Sequence, residues 1–366
     1  MLTTFLRFVG CLLLGGATFV QVVAQDPAQA PVPVQEIYQG HWDLPVPVQT
    51  VRTEALSGST HAVSGPLDYV RLRNLQIDAL IRGGGRYGQA DLKRITSSVE
   101  ALERAAAGSL EAHLARYHLE FPSASAFEHA DAVRKLDPDH PGVLAPALSA
   151  ALYRSDQGAI RRAANSFREK GNVAPALWKL AEDVIRCTGR ASIVFTTGEM
   201  GVYPLVASAA RPDDLLVVDA RLLDDRSYRE RIWSLAGAAG KVGGSGPAFA
   251  HALARASNRP VHLALGLDPS WFTYRAMDLH LTGLTYTIGA QGPEVAVLLE
   301  RWQQMHRTAE AGPLSWNYLL LGSVLVEHYR RLEDEAITAR LTMELRDLAR
   351  QLGAEPSLIR AGVLLH

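Results

Sequence analysis

Cysteine is almost missing from this sequence: Cys11 and Cys187 are the only two among 366 residues. Cys11 lies in an apolar N-terminal run that reads as a removable signal peptide, which leaves Cys187 as the lone thiol of the mature chain. No intramolecular disulfide can then form, even where the compartment permits one. Stability has to come from an ordinary core, and a hydrophobic content of 48% can build one, divided over two or three subdomains. An excess of either charge is also missing. The 37 basic and 38 acidic residues nearly cancel, which argues against nucleic acid or an anionic membrane surface as the main partner. Beyond the N-terminus no apolar run approaches the roughly 18 residues of a membrane span, so the mature chain is expected to have no transmembrane segment.

What is present begins with an export pattern. Arg7 gives the short leading segment its charge, and Phe8 to Val23 follow with only Thr18 and Gln21 as clearly polar members. Val22 and Ala24 are the small residues that signal peptidase needs, so 1–24 is read as the signal peptide with cleavage before Gln25; Ala28 and Ala30 offer a second site. The run of roughly 16 residues is short for a bilayer core of about 30 Å, and an uncleaved anchor is the alternative. Gly10-Cys11 is not a lipoprotein box, because Leu12 to Leu14 continue the apolar run past it. The expected location is periplasmic or secreted. Residues 25–60 are rich in Pro, Val and Gln and hold PVPVQ twice, at 31–35 and 45–49. They read as an extended tether, with Tyr38, His41 and Trp42 as docking aromatics.

Residues 61–190 read as helical. Leu67, Val70, Leu72, Leu75, Ile77, Leu80 and Ile81 make an apolar face that stops at Gly83-Gly84-Gly85. The stretch Arg82 to Gly88 is not a phosphate loop, since no strand precedes it and no Gly-Lys-Ser/Thr follows. A helix is expected over 89–107. In 107–140, Leu110, Leu114, Tyr117, Ala126, Ala130, Val133 and Pro138 fall at the packing positions of a helical hairpin of about 34 residues. Small residues at 126 and 130 let its two helices approach closely. This segment, with its ending Lys135-Leu-Asp-Pro-Asp-His-Pro141, resembles a tetratricopeptide repeat. A weaker second unit over 141–174 places Leu144, Leu148, Ile160, Ala164 and Phe167 equivalently, and a helix over 173–187 closes the stack.

From Ala191 the pattern changes. Ser192 to Thr196, Leu215 to Asp219 and Pro260 to Leu265 are apolar strands separated by helices, which implies a small parallel-sheet α/β domain over 191–292. Residues 293–366 return to helix, over 294–308, 315–330 and 334–352. The expected fold class is therefore α/β with large all-α parts.

The segments Ile193-Val-Phe-Thr-Thr-Gly-Glu-Met-Gly-Val-Tyr-Pro-Leu205 and Arg211-Pro-Asp-Asp-Leu-Leu-Val-Val-Asp219 resemble a stretch of protein O-mannosyltransferase-like membrane proteins. Arg259-Pro-Val-His-Leu-Ala-Leu265 and His280-Leu-Thr-Gly-Leu-Thr-Tyr286 resemble that region's next strand and its Leu-x-Gly-Leu-x-Tyr segment. The likeness covers about a quarter of the chain. Where the family loop carries two acids, this sequence keeps Glu199 and has Gly201 at the second position. The family's multi-helix membrane portion has no counterpart here, so the resemblance implies an extracytoplasmic accessory domain and not transferase activity.

Candidate chemistry gathers at the strand ends. Open α/β sheets bind ligands at the carboxyl edge, so Gly198, Glu199, Gly201, Tyr203 and Asp219 are the expected ligand or glycan contacts. Gly-x-x-Gly is too short for a dinucleotide fingerprint. Gly243-Gly-Ser245-Gly-Pro247 is not a nucleophile elbow, because position 247 is proline and no strand leads in. Its amides can still hold an anion, with Lys241 and Ser245 as contacts. Trp271-Phe272, after Asp268-Pro-Ser, reads as a turn presenting aromatics for stacking. Of the twelve histidines, neither His113 with Tyr117 nor His129 with Asp131 has the spacing that places two metal ligands on one helix face. His262 and His280 lie in apolar contexts and read as core residues. The expectation is an exported, non-catalytic binding or scaffold protein for a protein or glycan partner, without cofactor or metal. The alternative is an enzyme, or an enzyme subunit, acting on glycans or glycoproteins with Glu199 and Asp219 as carboxylates.

Overall fold

The computed structural model describes residues 65–82, 87–289 and 291–365. The signal peptide, the proline-rich tether with its aromatic cluster, and residues 83–86 of the glycine-rich loop lie outside the described residues. The chain divides into two compact units: one takes the described residues up to Val173 together with Gly198–Tyr203, and the other takes Ala174–Thr197 and the chain from Pro204 onward.

The first unit is built from α1 (Gly65–Arg82), α2 (Gln89–Ala105), α3 (Leu110–Glu120), α4 (Ala124–Leu136), α5 (Leu144–Arg154) and α6 (Gln157–Lys170). Helix starts fall where the sequence supplies a cap. Ser109, Ser123 and Asp156 accept the amides of Ala112, Ala126 and Ala159 at 3.1, 3.3 and 3.0 Å, satisfying donors that the first turn leaves open. Consecutive helices pack on one another, most extensively α3 on α4 and α5 on α6. Positions 34 apart are buried in pairs: Leu114 with Leu148, Ala126 with Ile160, Ala130 with Ala164, and Val133 with Phe167. A core of Tyr69, Leu72, Ile95, Val99, Leu102, Leu114 and Val133 runs through the first hairpins, and Phe127 stacks on Tyr153 at 4.3 Å to join α4 to α5.

The second unit opens with α7 (Pro175–Thr188) and continues through β1 (Ile193–Thr196), α8 (Glu199–Ala207), β2 (Leu216–Asp219), α9 (Arg226–Leu235), α10 (Gly246–Ala256), β3 (Val261–Ala264), α11 (Ser270–Thr273), β4 (Leu279–Leu281) and β5 (Thr285–Ile288). By compactness, the first residues of α8 group with the helical unit. The strand order is β2-β1-β3-β5-β4. Strands β2, β1 and β3 are parallel, with Phe195 opposite Val218 and Leu263. The sheet is nevertheless mixed and not purely parallel, because β5 runs antiparallel to both β3 and β4. The physical reason is the tight reversal at Thr282 to Leu284. A connection that short joins only antiparallel strands, and Gly283, at φ +126°, takes a backbone conformation that other residues rarely adopt. The protein is thus a mostly helical α/β fold with a five-stranded sheet.

Every residue of β1 is buried. Phe195 meets Phe249 of α10 and Trp271 of α11 at ring distances of 6.1 and 5.8 Å. Arg259, just before β3, clamps the strand entries: its guanidinium donates to the carbonyls of Ala191, Ser192, Asp214 and Leu235. That gives the Arg-Pro dipeptide a structural task. The chain ends in α12 (Val295–Gln304), α13 (Asn317–Arg331), α14 (Glu335–Gln351) and α15 (Glu355–Arg360), which group with the sheet. Here Gly322 admits Trp302 and Leu345 side by side; a β-carbon at position 322 would lie 2.8–2.9 Å from both. Among the described residues no helix is long and apolar enough to cross a membrane.

Candidate functional site

The residues expected at the strand ends fall into two groups. Gly198, Glu199, Gly201 and Tyr203 belong to the helical unit. Gly198 turns the chain at φ +73° with open space around its α-carbon. Glu199 then opens α8, where a carboxylate suits the helix dipole. Its Oε1 lies 3.4 Å from Nη2 of Arg73, a residue of α1 that is itself 2% exposed. Tyr87 shares this corner. Burial pushes its hydroxyl up to about 12, Arg73 pulls the other way, and Glu199 adds to the rise. One turn on, Tyr203 is 1% exposed. Its hydroxyl is 2.6 Å from Ser149 Oγ of α5, and its ring meets Phe167 of α6 edge-on at 5.6 Å. These side chains spend their polar and apolar surface on the helical array.

Asp219 ends β2 with no exposed side-chain surface. It caps the following 3-10 turn (Ala220–Leu222) by accepting the Arg221 amide at 3.0 Å. The Arg221 guanidinium closes on the same carboxylate, with Nε at 3.0 and 3.1 Å and Nη2 at 2.7 Å. The Asp219 amide donates to the Tyr228 hydroxyl at 3.2 Å, whose acidity burial and the neighbouring carboxylate suppress. A bidentate arginine on a buried, turn-capping carboxylate leaves it no lone pair aimed at solvent.

Lys241 and Ser245 are exposed. They lie in a loop whose Gly240, Gly244 and Gly246 all have positive φ. Ser245 precedes α10 without capping it through its side chain. Trp271 and Phe272 are each 7% exposed, so the expected aromatic platform is turned into the core, with Trp271 on Phe195 and Phe272 on Tyr286. The hydrophobics exposed on that loop are Tyr274 and Met277, at 41% and 65%. Tyr274 covers His251, which is 1% exposed. Burial holds the His251 imidazole below its usual pKa, against the pull of Asp278, whose carboxylate lies 3.8 Å away. His262 is a core histidine as expected from its setting, its pKa lowered to about 4 by burial, with Arg301 adding to the shift. His280 instead lies half-buried on edge strand β4, with Nε2 3.1 Å from the Gly289 carbonyl.

Two clusters carry no signal in the spacing of the sequence. Asp183 of α7 has no exposed side-chain surface and gathers four donors: Arg186 Nη1 at 2.7 Å, the His306 amide and its Nδ1 at 2.9 Å each, and the Tyr318 hydroxyl at 2.7 Å. Burial and this carboxylate both keep Tyr318 protonated. In the helical unit, His113 of α3 and His129 of α4 bring their Nδ1 atoms to 2.8 Å. Among the described residues, no three His, Cys, Asp or Glu side chains come together as a group that could hold a metal ion. Comparison of the chain with protein-family models, with curated proteins and with solved structures finds no match.

Proposed function

We propose that the protein acts outside the cytoplasm as a non-catalytic binding or scaffold protein that holds a protein or glycan partner through its hairpin array and α/β surfaces. The observation that carries this reading is the fate of its two candidate carboxylates. Glu199 pairs with Arg73, and Asp219 is buried, caps a turn and is chelated by Arg221. Glycoside hydrolysis needs one carboxyl group free to give a proton and another free to attack or to activate water. Asp219 is enclosed away from solvent and Glu199 is engaged by Arg73, which speaks against that division of labour. The resemblance of 107–174 to tetratricopeptide repeats and the burial of side chains 34 positions apart support a binding array. The export pattern in 1–24 and the resemblance of 190–290 to an extracytoplasmic accessory segment support the location.

The test has two arms. Purified protein is incubated with a panel of chromogenic aryl glycosides, in parallel with Glu199→Gln and Asp219→Asn. The expected result is no turnover by any of the three. Turnover by the parent chain that either substitution abolishes would establish the enzyme in its place. In the second arm, cross-linked material from the exported fraction is identified and the complex rebuilt from two purified components, or from purified protein and a defined oligosaccharide. A saturable 1:1 complex is expected; recovery of the chain exclusively from the cytoplasm would overturn the location.

A further inference from the structure

Helix α10 carries a histidine whose surroundings suit neither of its charge states. The His251 side chain is buried, and no hydrogen bond of good geometry ends on Nδ1 or on Nε2. Ring nitrogens left this way inside a protein cost stability. What encloses them is a short cover, residues 274–277, whose Tyr274 ring stands edge-on to the imidazole at 5.2 Å and 71°. The cover is pinned at both ends. On one side α11 holds it, with Trp271 and Phe272 in the core; on the other the Gly289 amide donates to the Asp278 carbonyl at 2.9 Å. Between these anchors the ties are local. Arg275 Nε donates to Asp278 Oδ2 at 2.9 Å, and the Asp278 amide to the Arg275 carbonyl at 2.9 Å. Tyr274 and Met277 are exposed, and Arg275 takes a left-handed φ of +49° that a side chain with a β-carbon adopts at a cost.

The groups that face His251 pull unequally. Arg275 of the cover and Arg255, one turn further along α10, oppose a positive ring. The Asp278 carboxylate, 3.8 Å from Nδ1 and shared with Arg275, favours one, as does the Tyr274 carbonyl. Burial outweighs that help and holds the covered imidazole below its ordinary 6.5. A ring opened to water regains the ordinary value. The covered state therefore binds the proton less readily than the open one, and falling pH favours opening. Below 6.5 the opening equilibrium rises by up to about tenfold per pH unit, until the covered ring protonates as well. We infer that the Tyr274–Met277 segment is an acid-released cover over His251, closed on the neutral imidazole and displaced when the ring takes a proton. Opening moves the exposed Tyr274 and Met277 side chains together, so the apolar surface that this loop presents changes with pH. The device stands independently of the binding role proposed above.

Backbone hydrogen exchange of the full chain measures the opening, read by peptide mass at pH 7.5 and 5.0 and corrected for the intrinsic pH dependence of exchange. Protection over 274–278 should fall by about tenfold at the lower pH, while β5 keeps its protection. His251→Gln and His251→Phe, two neutral replacements of different shape, should each remove the difference between the two pH values. Deuterium uptake at Cε1 of the His251 ring, followed against pH in the same peptides, reports the ring's own titration. Its midpoint in the parent should lie below 6.5, and Tyr274→Ala, at an exposed position, should move it up toward 6.5. Those two readings need no folded His251 variant. Equal protection at both pH values in the parent, a pH difference that survives either neutral replacement, or a midpoint that Tyr274→Ala leaves in place would each overturn the switch.

Discussion

Replacing Asp183 should be among the most damaging single changes in the second unit, and the structure allows the cost to be worked out. The carboxylate is fully buried and accepts from Arg186, from the amide and Nδ1 of His306, and from Tyr318, linking α7 to the loop after α12 and to the start of α13. In Asp183→Ala the Tyr318 hydroxyl and the His306 amide lose their acceptor inside the protein, at about 1–3 kcal/mol for each buried donor. The ion pair adds less, because the Arg186 and His306 side chains are 35% and 33% exposed and solvent screens them. The total is about 3–5 kcal/mol, within the range for breaking a buried charged pair. For a unit of this size that lowers the melting temperature by about 6–20 °C. Asp183→Asn keeps the shape but turns an NH2 toward two of the four donors, so it should recover only part of the loss. Tyr318→Phe removes one bond and should cost about 1.5 kcal/mol. Urea unfolding followed by far-ultraviolet circular dichroism and tryptophan fluorescence measures all three. If Asp183→Ala stays within about 1 kcal/mol of the parent, or costs no more than Tyr318→Phe, the reasoning fails.

Three further outcomes follow from the same kind of accounting. The His262 pKa falls from 6.5 to about 4 in the folded chain, so the unfolded state binds the proton more readily. Its contribution is complete above pH 6.5 and is lost as pH falls toward 4, by about 3 kcal/mol in all; His262→Gln should flatten that part of the stability–pH curve, and an unchanged slope would count against the assignment. Burial raises the Cys187 thiol to about 11, so Ellman's reagent at pH 8 should label it only as the protein unfolds, and prompt labelling of the native chain would contradict its placement. Gly283→Ala should destabilise by about 2–4 kcal/mol, since the new β-carbon would sit 2.4 Å from Cys187 Sγ at a φ of +126°; a melting temperature within about 2 °C of the parent would refute it.

What the sequence determined by itself was local. Apolar spacing located the helices from α1 to α7, because the 3.6-residue period is a property of neighbouring residues. The three parallel strands were marked by short apolar runs between helices. The last two strands were not, since whether a short segment pairs parallel or antiparallel depends on the turn that feeds it. The candidate carboxylates show the limit most clearly. The sequence could place Glu199 and Asp219 at strand ends, where ligands bind in open sheets. Only the tertiary structure could show that Arg73, 126 positions away, faces Glu199, or that Arg221 folds back onto Asp219. The same holds for His113 with His129 and for Asp183 with His306. Charge pairing depends on distance in space, and spacing along the chain carries no record of which distant side chain will arrive.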